Sequence, residues 1–167
     1  TWNKDIAARQ GELIGDYGLW AHIVGWYAPG LNIHRTPFSG RNFEYYSEDA
    51  TLSAAMAANV IAGARSKGMI TFMKHFALND QENNRDTDGI ATWADEQTMR
   101  ENYLKVFEWA VKKGGSNGVM SSFNRIGFTW SGASYALLTE LLRGEWGFEG
   151  VVITDAHAAG QGCMNAN

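Results

Sequence analysis

The sequence predicts an α/β protein with a parallel sheet of about four βα units, and three observations carry that prediction. Four short apolar runs read as buried strands, because each is too short to be a core helix. Helical patterns with explicit start and stop signals separate them, and polar side chains collect where each run ends. Such alternation implies right-handed crossovers between neighbouring parallel strands.

The first helical pattern runs from about Ile6 to Trp20 and leads into the strand "GWYAPGLNI" from Gly25 to Ile33. Asp49 then caps "ATLSAAMAANVIAGARSK", which stops at Gly68, because an Asp oxygen accepts from first-turn amides and glycine ends a helix cheaply. "MITFMKHF" from Met69 to Phe76 is the second strand. The connection Ala77 to Ala91, "ALNDQENNRDTDGIA", is long for a compact domain, and loops of that length usually carry function. Thr92 and Asp95 have capping-box spacing before a helix that stops at Gly114 and Gly115. The third strand is "GVMSSFN" from Gly118 to Asn124. A helix from about Ala133 to Glu145 follows, with Leu137, Leu138, Leu141 and Leu142 on one face, and "GVVITDA" from Gly150 to Ala156 is the fourth strand.

The 167 residues suffice for one domain with a sizeable core, and the 45% hydrophobic content is ordinary for a globular chain. A net charge of −4, with 14 Lys and Arg scattered rather than striped, speaks against nucleic acid or an anionic membrane as partner. No apolar run approaches the roughly 18 to 20 residues that span a bilayer. The chain does not begin with Met, and no leader pattern is seen at Thr1; a processed or excised piece is expected. The one cysteine, Cys163, excludes an internal disulfide and a multi-cysteine metal cluster, and leans toward a reducing compartment such as the cytoplasm. Seven Trp, six Tyr and eight Phe are many for this length. Core packing is the first expectation for them, and a sugar-stacking surface is the second.

In parallel α/β folds the carboxyl ends of the strands converge on one face, where ligands bind. There lie Asn32, His34 and Arg35 after the first strand, Lys74 and His75 in the second, Ser122 and Asn124 in the third, and Asp155 in the fourth. An ionised, rigidly held aspartate at a strand tip meets the requirements of a carboxylate nucleophile; the alternative is an aspartate capping the next helix. Lys74 and His75 are adjacent on a strand, so one must point inward unless the backbone twists at the strand end. The pair suits hydrogen bonding to sugar hydroxyls or to a carboxylate, the alternative being a satisfied core histidine beside a lysine whose stem is buried. A zinc set of His34, His75, Asp155 and His157 has ligand spacing only between the last two, so no metal is expected.

Read together, "APGLNIHRTPFSGRNFEYYSED", "KHFALNDQE", "VMSSFN", "LLRGEWGFEG" and "VVITD" resemble the catalytic domain of glycoside hydrolase family 3, the β-glucosidases and related exo-acting enzymes. The resemblance covers Thr1 to about Asp155 and implies part of a (β/α)8 TIM barrel. It implies Asp155 as the nucleophile of a retaining hydrolysis and Arg41, Lys74 and His75 as partners of the sugar hydroxyls, with a β-glucoside or related oligosaccharide as substrate and no cofactor. Phe123, in "MSSFN", falls among the substrate-binding positions. "KHFALNDQE" is similar to the glucosidase and xylosidase side of the family. It differs from the "KHFPGHG" type that carries an Asp and His dyad in members acting on N-acetylglucosamine.

Two positions depart from the family pattern: Phe123 stands where tyrosine is usual, and Ala156 stands where an aromatic usually follows the nucleophile. The barrel has eight strands and four are counted here; the acid/base glutamate normally comes from another domain. Of the acids present, Glu48 and Asp49 read as a helix start, Asp95 and Glu96 as first-turn acids, and Glu44 as a partner for Arg41. Glu82, on the long loop, is left as the one substitute acid. Half a barrel leaves two sheet edges open, so completion by further chain segments or a second subunit is expected.

Overall fold

The computed structural model describes residues 2–85 and 90–156. Helix α1, Lys4–Ala21, starts at Asn3, whose Oδ1 accepts from the amides of Asp5 at 2.8 Å and Ile6 at 3.2 Å. Strand β1 is Gly25–Trp26, and helix α2, Ala50–Ser66, begins where the Asp49 carboxylate accepts from the Leu52 amide at 2.7 Å. After Gly68, in the left-handed region at φ +85°, comes strand β2, Ile70–Phe76. Strand β3 is Ala91–Thr92, and helix α3 fills 96–112, with a wider π-type winding over Met99–Leu104. Strand β4, Gly118–Ser121, precedes two short strands, β5, Arg125–Ile126, and β6, Thr129–Trp130. Helix α4, Ala136–Glu145, is wound π-type throughout, and β7 is Val151–Ile153.

The order β1-β2-β4-β7 forms a four-stranded, all-parallel sheet, with Gly25 opposite Ile70, Phe72 opposite Gly118, and Gly118 opposite Val151. The parallel α/β architecture expected from the strand and helix alternation is what the chain adopts. β1 is shorter than the run Gly25–Ile33 because Pro29 has no amide to donate to a ladder. The pairing resumes beyond it: Lys74 donates to Pro29 O at 3.0 Å and Leu31 donates to Lys74 O at 2.6 Å.

Helices cover one side of this sheet. Met73, Phe76 and Val119 pack against Ala54, Ala57 and Ile61 of α2, Val106, Phe107 and Ala110 of α3, and Leu141 and Leu142 of α4. β2 alternates as a strand must: Thr71 and Met73 are buried toward the helices, while Ile70, Phe72 and Lys74 on the opposite face are only half-covered. α1 and α2 approach closely enough that a Cβ at Gly11 would collide with the Val60 carbonyl, and one at Gly63 with the Ala8 carbonyl. The aromatic residues divide: Phe76, Phe107, Trp146 and Phe148 are core, whereas Trp20, Phe38, Phe43 and Phe128 stand exposed.

Two expectations are corrected. Thr92 does not cap α3; it lies in β3, and Asp95 is the cap, its carboxylate accepting from the Thr98 amide and hydroxyl, each at 2.9 Å. The residues after β4 form a second sheet of order β3-β5-β6, in which β5 and β6 are a hairpin turning at Gly127, φ +60°. Two-residue strands carry too little alternation to show in a sequence pattern. Among the described residues no helix is long and apolar enough to cross a membrane.

Candidate active site

β2 brings Lys74 and His75 to its carboxyl end, and the pairing of β2 with β4 loses regular register between Met73 and Phe76. Both adjacent side chains therefore line one cavity, instead of facing opposite sides of the sheet. Its volume is about 450 Å³, and Arg41, Asp155, Tyr27 and Met120 share the wall with them. Asp155 arrives there from the tip of β7, its side chain mostly buried and not aimed into the hydrophobic interior.

Glu44 organises the cationic side. Its carboxylate takes the Arg41 Nε at 2.5 Å on one oxygen and lies 3.4 Å from Lys74 Nζ with the other. Burial alone would raise its pKa, but the hydrogen bond from Arg41 and the Lys74 charge outweigh that and hold it below the ordinary value. The pairing of Glu44 with Arg41 expected from sequence is present, and Lys74 is added to it.

His75 is 1% exposed and held on three sides. Asn32 clasps its backbone, accepting from His75 N at 2.9 Å and donating to His75 O at 3.0 Å. Tyr45 places its hydroxyl 3.2 Å from Nδ1, and Nε2 lies 3.6 Å from Asp155 Oδ2. Burial, reinforced by the charges of Arg41, Lys74 and Arg85, lowers the imidazole pKa to about 2. The ring is therefore neutral at physiological pH, and its approach to Asp155 is a polar contact rather than an ion pair. Asp155 Oδ1 accepts from the Ala156 amide at 2.7 Å, while the buried Oδ2 has no hydrogen-bond partner among the described residues.

Phe123 does not reach this cavity. It is buried, with the Arg85 guanidinium 4.9 Å from its ring centre. Glu82 is also elsewhere: it holds Arg85 at 2.8 Å, accepts from Asn79 Nδ2 at 3.1 Å and lies 3.8 Å from Arg41, clasping the long loop to the site. His34 donates to the Tyr45 carbonyl at 3.0 Å, and His157 lies outside the described residues. Among the described residues no group of three or more potential ligands is placed to hold a metal. Tyr27 and Met120 carry no sequence signal of this role, since an aromatic or methionine in a loop or strand bears no mark of the cavity it borders.

A second polar cavity, about 320 Å³, lies beside Arg35, Thr36 and Asn124 and contains Asp80. Asp80 is buried; its Oδ1 accepts from Ile33 N at 3.4 Å and its Oδ2 has no hydrogen-bond partner among the described residues. Burial raises its pKa from 3.8 to about 6, against the opposing Ile33 amide and Arg35 charge. The folded state thus binds the Asp80 proton more tightly than the unfolded chain, and stability falls as pH rises from about 4 to about 6. The difference corresponds to roughly 3 kcal/mol. Asp80→Asn is expected to remove this slope, gaining on the parent chain across that interval in urea unfolding followed by fluorescence.

Parallel strands with helices on one side, and a polar cavity at their carboxyl ends, are the arrangement found in barrel-type α/β domains. The chain matches the model of the glycosyl hydrolase family 3 N terminal domain over residues 1–165, and it belongs to that family. β-Glucosidase A of Butyrivibrio fibrisolvens is 44% identical over 155 residues, 93% of this chain and 18% of that protein. The structure of β-glucosidase 3B from Thermotoga neapolitana in complex with glucose superposes with a TM-score of 0.88 at 41% identity, covering 92% of this chain and 21% of that one. A β-glucosidase from Paenibacillus barengoltzii gives a TM-score of 0.91 at 38% identity, covering 99% and 18%. The chain thus spans about a fifth of the length of these relatives.

Proposed function

We propose that this chain is the nucleophile-bearing part of a retaining β-glycoside hydrolase of the β-glucosidase type. The observation that carries the reading is the meeting of Arg41, Lys74, His75 and Asp155 on one cavity of about 450 Å³. That volume falls within the range of about 300–1,000 Å³ found for small-molecule sites. The relative solved with glucose favours a glucose-type ring in it. Arg41 and Lys74 would donate to ring hydroxyls with His75 beside them, and Glu44 holds the two cations in place.

In the reaction, an Asp155 carboxylate oxygen attacks the anomeric carbon while the bond from that carbon to the aglycone oxygen breaks. The electron pair leaves with the aglycone, which takes a proton from a second carboxylic acid. Water then attacks the anomeric carbon and displaces Asp155, giving its proton to the same second group, now a carboxylate. Glu44 and Glu82 are each engaged with cations, and we infer that the second carboxylate is supplied by further segments. We infer that the same further segments, or a second subunit, complete the barrel around the half-covered face of the sheet.

A non-catalytic sugar-binding remnant is the second reading, favoured by Ala156, which borders the cavity where an aromatic usually follows the nucleophile. 2,4-Dinitrophenyl 2-deoxy-2-fluoro-β-glucoside separates the two, because dinitrophenolate leaves without protonation and needs no acid. A mass increase of one fluorosugar, mapped to Asp155, is expected; binding with no adduct would leave the remnant standing.

A further inference from the structure

Three observations around His75 fix more than its position. First, Asn32 cannot be turned round: its oxygen faces the His75 amide and its nitrogen faces the His75 carbonyl, so the atom 3.3 Å from Nδ1 is an acceptor. Second, the Tyr45 hydroxyl lies 3.2 Å from His75 Nδ1. A hydroxyl carries a proton it can give, so Tyr45 can donate to Nδ1 when Nδ1 is unprotonated. Third, Asp155 Oδ2 has no other hydrogen-bond partner among the described residues, and His75 Nε2 is 3.6 Å from it.

A neutral imidazole carries one proton, on Nδ1 or on Nε2. With the proton on Nδ1, the ring would donate to Asn32 and turn its Nε2 lone pair toward a carboxylate oxygen. With the proton on Nε2, it accepts from Tyr45 and turns an N–H toward Asp155. We propose that Tyr45 is a positioning residue for the nucleophile: its hydroxyl donates to His75 Nδ1 and so holds His75 in the Nε2–H form, aimed at Asp155. Calling Asp155 the nucleophile rests on the function proposed above, whereas the tautomer does not.

The test is nitrogen-15 NMR of the full chain labelled in its histidines, with the His75 signals assigned by their loss in His75→Gln. A protonated Nε2 and an unprotonated Nδ1 are expected in the parent chain; a protonated Nδ1 overturns the proposal without any variant. Tyr45→Phe keeps the ring and removes the donor. It should show a population protonated at Nδ1 and slow fluoroglucoside labelling about tenfold, with binding little changed. A His75 spectrum identical to the parent's overturns the proposal. Failure of the parent chain to label at Asp155 would remove the nucleophile and leave the NMR result to decide the tautomer.

Discussion

Asp155→Asn is expected to take up no fluorosugar. The amide is nearly the same size as the carboxylate but lacks the charge that makes it a nucleophile, so the labelling rate should fall by at least on the order of 10³. Binding should survive, because Arg41, Lys74 and His75 still line the cavity. Intact-protein mass spectrometry reads the adduct, and isothermal titration with glucose reads the binding. An adduct that persists in the variant, and maps to Glu44 or Glu82, would relocate the chemistry to those side chains. Loss of both labelling and binding would mean that the substitution disturbs the cavity rather than the reaction.

The largest expected effect on stability comes from Phe76→Ala. Phe76 ends β2 with its ring fully buried, 5.1 Å from the ring of Phe107 on α3 and 5.8 Å from that of Trp146 just after α4. Its removal leaves a cavity where three segments meet, and such substitutions typically cost about 3–5 kcal/mol. The urea midpoint should drop accordingly, with the slope of the transition unchanged if the two states remain as compact. A change below about 1 kcal/mol would show that the aromatic cluster rearranges to fill the gap. Because His75 precedes Phe76 in the chain, the same variant should also loosen sugar binding.

What the sequence disclosed follows from what its signals are made of. Capping residues announce helix starts directly, which is why Asp49 and the glycines closing α2 and α3 could be placed. The strand β2 was visible as an uninterrupted apolar run, and the cluster at its end as polar residues with no place in a core. Thr92 misled because two acceptors three residues apart both satisfy the capping pattern, and only the β3–β5 pairing decides between them. The hydroxyl of Tyr45 was invisible for a different reason: its role arises from a contact across 30 residues, with His75. Phe123 was counted among substrate contacts from its place in a motif, whereas its ring lies under Arg85.

β7 pairs with β4 along one side only, and it is this strand that carries Asp155 at its tip. A polypeptide that added to the other side of β7 would steady the carboxylate through backbone hydrogen bonds. On the function proposed above, assembly and sugar affinity would then be thermodynamically linked: a strand that raised the affinity for the glycoside by a given factor would itself be held more tightly by that factor once the glycoside is bound.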